Sequence, residues 1–68
     1  MARIRKIVEV LYDKRSRYEI VRITDGGLFS FGSEDFYVLR DGREVAGRYS
    51  NLRDAMAWAE RQGATTRR

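Results

Sequence analysis

The chain has 68 residues, with 14 Lys and Arg against 10 Asp and Glu, a formal net charge of +4, and neither cysteine nor histidine. This length provides one domain with a thin core, and the missing residue types exclude disulfides and a structural zinc site. The basic excess favours polyanionic partners, either nucleic acid or an acidic protein surface. Because small domains without covalent staples often gain stability by self-association, a homodimer is also expected.

No apolar run in the sequence approaches the length that spans a bilayer. The basic residues near the start are not followed by the uninterrupted apolar stretch of a signal peptide, because Glu9 breaks the run from Ile7 to Leu11. We therefore expect a cytoplasmic protein with no membrane partner.

The first third of the chain is predicted to form a β-hairpin. Residues 3–12 and 17–24 are rich in β-branched side chains, and a polar connector separates them. A helix is the alternative for residues 3–12, because periodicity alone does not assign short apolar runs. As a strand, this segment carries four apolar side chains on one face: Ile4, Val8, Val10 and Tyr12.

The middle of the chain is predicted to contain a turn at residues 25–27, a short strand at 28–31 and a second hairpin. In that hairpin, Asp41-Gly42 separates the β-rich runs 35–40 and 43–49, a pattern typical of a two-residue type I′ turn. The expected pairs are Val38 with Val45 and Phe36 with Gly47 on one face, and Tyr37 with Ala46 on the other.

A helix is predicted after this hairpin. Asn51 is a suitable N-cap, Asp54 follows it three residues later, and Gly63 lies where a C-terminal glycine ends a helix. An apolar stripe at helical spacing consists of Leu52, Ala55, Met56 and Ala59. We expect this helix to cover the sheet face that carries Val8, Val10, Ile20, Val38 and Val45.

The predicted fold class is therefore α+β. Residues 1–63 are expected to form a single domain, an antiparallel β-meander of four or five strands with one C-terminal α-helix packed on the sheet. Residues 64–68 are expected to form a disordered tail. The sequence contains no repeat, linker or second domain.

No group of residues in the sequence resembles an active site. General acid–base catalysis usually needs histidine or paired carboxylates, and the adjacent Glu34 and Asp35 point to opposite faces of a strand. The serines have no histidine to activate them, and the glycines do not match a phosphate-binding motif. We expect a protein that is not an enzyme and that binds no cofactor, metal or small-molecule substrate.

Basic residues are concentrated in the first hairpin. Arg3, Arg5 and Arg17, with Arg15 near the turn, are predicted to form a stripe on its exposed face. A two-stranded ribbon fits the major groove of B-DNA, so this stripe could contact nucleic acid. The alternative is that these arginines only solvate the sheet face and discourage edge-to-edge pairing.

Tyr37 has the opposite parity to Phe36 and Val38, so it is predicted on the open face of the sheet, near Arg48. An aromatic ring at this position could stack on a base or join a protein interface.

Residues 36–62 read FYVLRDGREVAGRYSNLRDAMAWAERQ, a hairpin around Asp-Gly followed by a helix that begins Leu-x-x-Ala. This segment resembles the arm-binding domains of phage and transposon integrases, which insert a three-stranded sheet into the DNA major groove. It is also similar to small phage and bacterial proteins with the same hairpin–helix ending. The resemblance implies DNA contacts from the sheet by Tyr37, Arg40, Arg43 and Arg48.

The predicted function is a small non-catalytic nucleic-acid-binding module that uses a basic sheet face. The alternative is a protein-interaction module, either an accessory factor of phage or plasmid type or a homodimer formed through the sheet or the helix. The two differ in whether the arginines converge on one face or interleave with the carboxylates of Glu9, Asp13 and Glu19.

Overall fold

The structure is a computed structural model, and it describes residues 3–25 and 34–66. These residues form four strands and one helix: β1 (Arg3–Tyr12), β2 (Arg17–Asp25), β3 (Glu34–Arg40), β4 (Arg43–Tyr49) and α1 (Leu52–Arg61). The strands make one antiparallel sheet in the order β1-β2-β3-β4, and α1 packs on one of its faces. The predicted α+β meander with a C-terminal helix is confirmed. The predicted short strand at 28–31 lies outside the described residues, as do residues 26–27 of the predicted turn, whereas Asp25 is the last residue of β2.

The turn between β3 and β4 has the predicted two-residue form. Asp41 and Gly42 both have positive φ, 53° and 87°, and the flanking Arg40 and Arg43 pair with each other. Positive φ at both central residues defines the type I′ turn, whose twist matches that of the strands it joins. The Asp-Gly dipeptide therefore fixes the start of this hairpin locally.

Gly42→Ala is expected to destabilise the protein by about 1 kcal/mol. Nothing lies within 4 Å of the Cβ that alanine would add, so the cost comes from the positive φ alone. A thermal melt should show Tm lowered by roughly 4–8 °C. An unchanged Tm would mean that residue 42 does not hold this left-handed conformation.

The register of β4 differs from the prediction. Val38 pairs with Ala46 and Phe36 with Tyr49, because irregularities in the ladder insert extra residues into β4. The predicted Val38–Val45 and Phe36–Gly47 pairs are therefore wrong, as is the placement of Ala46 beside Tyr37. The shift brings Ala46 and Tyr49 against the core and leaves Val45 exposed.

A bulge in β1 changes which of its side chains face the helix. Ile7 pairs with Val21, but Glu9 already pairs with Ile20, so one extra residue lies between them in β1. Beyond the bulge, Leu11 is fully buried, opposite Tyr18 of the core. The predicted shared face of Ile4, Val8, Val10 and Tyr12 is thus wrong, because the extra residue reverses the alternation.

The core lies between α1 and one face of the sheet. Its largest fully buried side chains are Leu11, Ile20 and Val38, and Ala55 and Ala59 of α1 are fully buried against them. The prediction that the helix covers the face of Val8, Ile20 and Val38 is confirmed, whereas its inclusion of Val10 and Val45 is wrong. At the rim, the rings of Tyr18 and Trp58 meet edge to face with their centroids 6.3 Å apart.

Both ends of α1 are capped as predicted. The Asn51 side chain accepts a hydrogen bond of 2.9 Å from the main-chain N–H of Asp54. At the other end, Gly63 has a φ of 96°, and its N–H donates to the carbonyl of Glu60. The N–H of Ala64 donates to the carbonyl of Ala59, which completes a Schellman motif.

This motif returns the chain to the core after the helix ends. Ala64 is fully buried, and the N–H of Thr65 donates to the carbonyl of Tyr12 at 2.8 Å. The N–H of Tyr12 donates back to the carbonyl of Thr65 at 2.7 Å, so the two residues form an antiparallel bridge. The prediction of a disordered tail from residue 64 is therefore wrong for Ala64 and Thr65, while residues 67–68 lie outside the described residues.

Candidate nucleic-acid interface

We call the sheet surface that faces away from α1 the open face. Its centre is apolar, because Ile7, Val21 and Tyr37 lie side by side on β1, β2 and β3. Val21 is only 4% exposed although it lies on the face away from α1, whereas Ile7 on the edge strand is 50% exposed. The ring of Tyr37 lies so close to Gly47 that a Cβ added there would be 2.5 Å from a ring carbon. Tyr37 is therefore packed against β4 rather than standing free.

Carboxylates accompany the arginines of the open face. The guanidinium of Arg17 lies 3.2 Å from a carboxylate oxygen of Glu19, and that of Arg48 lies 3.8 Å from one of Asp35. Exposed pairs of this kind add little stability, but they cancel charge locally. Among the described side chains, the open face thus interleaves the two signs around an apolar centre.

The turns of the two hairpins lie together at one end of the sheet. The main-chain N–H of Asp41 donates to the carbonyl of Arg17 at 3.0 Å, and the N–H of Arg17 donates to Oδ1 of Asp41 at 3.2 Å. These bonds join the β1–β2 turn to the β3–β4 turn. Four exposed cations lie on the joined turns, and we call them the basic end: Lys14, Arg15, Arg40 and Arg43.

The carboxylates of these turns are engaged by the main chain. Oδ1 of Asp13 accepts hydrogen bonds from the N–H groups of Arg15, at 2.7 Å, and Ser16, at 2.5 Å. The Oδ1 of Asp41 accepts the bond from Arg17. Among the ion pairs that join described residues, none involves a cation of the basic end. The ammonium and guanidinium groups of the basic end are therefore exposed and can contact an external anion.

The surroundings of the Asp13 carboxyl lower its pKa. The N–H of Arg15, followed by that of Ser16, holds the pKa of Asp13 below its ordinary value of 3.8. Desolvation opposes this shift, and the positive charges of Arg40, from the other turn, and of Arg15 add to it. The ionised form of Asp13 is thus favoured mainly by hydrogen bonds within its own turn.

Asp13→Asn is expected to reduce the dependence of stability on acid pH. A carboxyl whose pKa is lower in the folded state stabilises the protein above its unfolded pKa, and this contribution is lost as pH falls through the folded pKa. The stability difference between wild type and variant should therefore be constant near neutrality and shrink below pH 3.8. Urea unfolding at several pH values measures it, and a difference that stays constant down to low pH would contradict this role of Asp13.

The structure brings only some of the predicted site residues together. Arg15, Arg40 and Arg43 belong to the basic end, and Arg17 borders it through the bonds between the turns. The others are apart from it: Tyr37 and Arg48 on the open face, and Arg5 near the opposite end of β1, paired with Ile23. The side chain of Arg3 lies outside the described residues.

Lys14 is a member of the basic end that the sequence analysis did not identify. It lies in a polar connector, where the alternation of strand residues gives no information. A usable signal was present in the predicted topology, because the first and third turns of a four-stranded meander lie at the same end of the sheet. That rule places the basic residues of both turns side by side.

Across residues 3–25 and 34–66, no three His, Cys, Asp or Glu side chains lie close enough together to hold a metal ion. Over the same described ranges, no helix is long and apolar enough to cross a membrane.

Comparison with known protein families, with curated proteins and with solved structures finds no match for this chain. The resemblance of residues 36–62 to integrase arm-binding domains stays a prediction carried by the sequence alone. The geometry of the sheet and of its basic end is thus the basis for a functional proposal.

Proposed function

We propose that the protein is a small non-catalytic nucleic-acid-binding module whose phosphate contacts come from the basic end. The observation that carries this proposal is the bonding of the two turns through Arg17 and Asp41, which collects four exposed cations in one place. Asp13 and Asp41 accept main-chain hydrogen bonds that hold the turns in shape. Their carboxylates keep their charge, but the four cations outnumber these two carboxylates on the joined turns.

The chemistry of these cations suits phosphate. Three of the four are arginines, and a guanidinium presents several donors in a planar fork that matches two oxygens of a phosphate group. Arg15 and Arg43 project from separate turns, so they can reach different phosphates of one backbone. The net charge of +4 adds long-range attraction to a polyanion.

The proposal moves the site away from the sheet face that the sequence predicted. On that face, Arg17 and Arg48 have carboxylate partners, and the centre between them is apolar. A phosphate placed there would meet Glu19 or Asp35 as well as an arginine, which lowers the net attraction. We therefore assign binding to the end of the sheet and expect backbone contacts rather than base recognition to provide most of the affinity.

The test is a titration of a labelled mixed-sequence DNA duplex, followed by fluorescence anisotropy, at about 50 and about 200 mM salt. If all four cations contact phosphates, affinity should fall roughly 100-fold between the two salt concentrations, because each contact releases condensed counterions. The same titration with a single-stranded RNA shows whether duplex geometry matters.

Two outcomes would count against the proposal. Absence of binding to either nucleic acid at the lower salt concentration would end it. Displacement of the duplex by polyglutamate at equal charge concentration would identify an acidic protein surface as the better partner.

A further inference from the structure

We call the edge of β1 that faces away from β2 its outer edge, and it lies apart from the basic end. This strand is first in the sheet order, and one of its edges pairs with β2 along its length. In the part of the chain that the structure describes, the other edge of β1 has one partner, Thr65, which bridges to Tyr12 at its end. The N–H and C=O groups on the outer edge of Ile4–Ile7 are consequently available to another strand.

The bridge between Tyr12 and Thr65 shows that this edge accepts an extended segment. Both of its hydrogen bonds form, at 2.7 and 2.8 Å, and the segment runs antiparallel to β1. Ile4–Ile7 lie on the same edge, beyond the bulge, where the ladder with β2 is regular.

The side chains along Ile4–Ile7 are exposed on both faces of the sheet. Ile4 is 55% exposed and Ile7 is 50% exposed, and the charged groups of Arg5 and Lys6 lie between them. On the open face, a shallow depression next to this edge is lined by Arg5, Lys6, Ile7, Glu19, Val21 and Leu39. Since Glu19 is paired with Arg17, the charge that this depression offers to a ligand is basic.

These charges indicate which strand fits the edge. Antiparallel pairing of two copies of β1 centred on Arg5 or Lys6 would set identical cations directly opposite each other, which is unfavourable. An extended peptide with alternating acidic and apolar residues has the opposite charge. When its apolar side chains lie beside Ile7 on the open face, its carboxylates lie on the other face, where Lys6 is.

We propose that the outer edge of β1 over Ile4–Ile7 binds an extended acidic peptide as an added strand. Main-chain hydrogen bonds would provide the attachment, as in other cases of β-strand addition. The acidic sequence would be selected by Lys6 or by Arg5, whichever lies on the face that carries the peptide's carboxylates. This site goes beyond nucleic-acid binding and does not depend on it, because it lies on the edge of the sheet away from the two joined turns.

The probes are two synthetic peptides of equal length, one a Glu-Val repeat and the other a Lys-Val repeat. Titration into labelled full-length protein should show binding of the Glu-Val peptide at least roughly tenfold tighter than that of the Lys-Val peptide. Hydrogen exchange should show new protection of main-chain amides within residues 4–7. In the Arg5→Glu, Lys6→Glu variant the preference should reverse, with a circular dichroism spectrum like that of the wild type.

Three results would overturn the proposal. One is the absence of binding of either peptide. Another is binding of the Glu-Val peptide with protection confined to residues 13–17 and 40–43, which would assign it to the basic end. The third is a dimer in which the amides of residues 4–7 are already protected without peptide, since the edge would then be occupied by a second copy.

Discussion

Leu11→Ala is expected to lower the free energy of unfolding by about 3 kcal/mol, whereas Val10→Ala is expected to lower it by less than about 1 kcal/mol. The bulge before Leu11 turns this side chain into the core, where it is fully buried. Val10 lies on the other face, opposite Glu19. Without the bulge, the two residues would exchange environments, and so would the two effects.

The Leu11 effect is large for this protein because the core is small. A domain of this length has a total stability of roughly 3–10 kcal/mol, so the substitution removes much of it. Urea unfolding followed by circular dichroism measures both variants against the wild type. Equal effects, or a larger effect for Val10→Ala, would contradict the register of β1 and the position of the helix over it.

Arg15→Glu combined with Arg43→Glu is expected to weaken DNA binding by at least roughly 100-fold at about 0.1 M salt, since each lost phosphate contact costs about one order of magnitude. Reversing the charges adds repulsion to that loss. The dependence of log affinity on log salt should also become shallower by about 2 units. Anisotropy titrations over a series of salt concentrations measure both quantities.

The matched control is Arg48→Glu combined with Arg53→Glu. Both pairs of substitutions change the net charge by four, from +4 to zero, so they alter long-range attraction equally. Arg48 is on the open face and Arg53 is on the exposed side of α1. The control should lose less than about tenfold in affinity, with a nearly unchanged salt slope. Equal losses in both variants would show that only net charge matters and that the basic end is not a site.

The parts of the fold that sequence reasoning predicts well are those determined by a few neighbouring residues. Asp41-Gly42 specifies the type I′ turn, because both positions need positive φ. Asn51 and Gly63 mark the ends of α1 through hydrogen bonds to residues only a few positions away. Interactions of this kind join residues that are close in sequence, so a short stretch of sequence is enough to predict them.

The strand registers are harder to predict because they depend on contacts distant in sequence. In β1, strict alternation would place Val10 in the core, but the bulge places Leu11 there, opposite Tyr18. In β4, the extra residues bring Ala46 and Tyr49 toward the core. Both changes exchange one apolar residue for another, so hydrophobic patterning alone does not select between the registers.

Three of the four cations of the basic end are predicted site residues, but the sequence does not predict that they lie together at one end of the sheet. Arginines on a strand were assigned to a face by alternation, and carboxylate partners such as Glu19 and Asp35 became visible only with the register between strands. Alternation gives no information about residues in turns, whereas the meander topology places Arg15 and Arg43 at the same end of the sheet. The order and connection of the strands therefore predict this surface better than the alternation of side chains along a strand does.

The most direct test of the account is a map of main-chain amide NMR shifts when a short DNA duplex is added to labelled protein. We predict that the perturbed amides cluster in residues 13–17 and 40–43, and that the perturbations disappear at high salt. Perturbations centred on Arg5, Tyr37 and Arg48 would return the site to the open face and contradict the assignment to the basic end. The absence of any perturbation at low salt would contradict nucleic-acid binding itself.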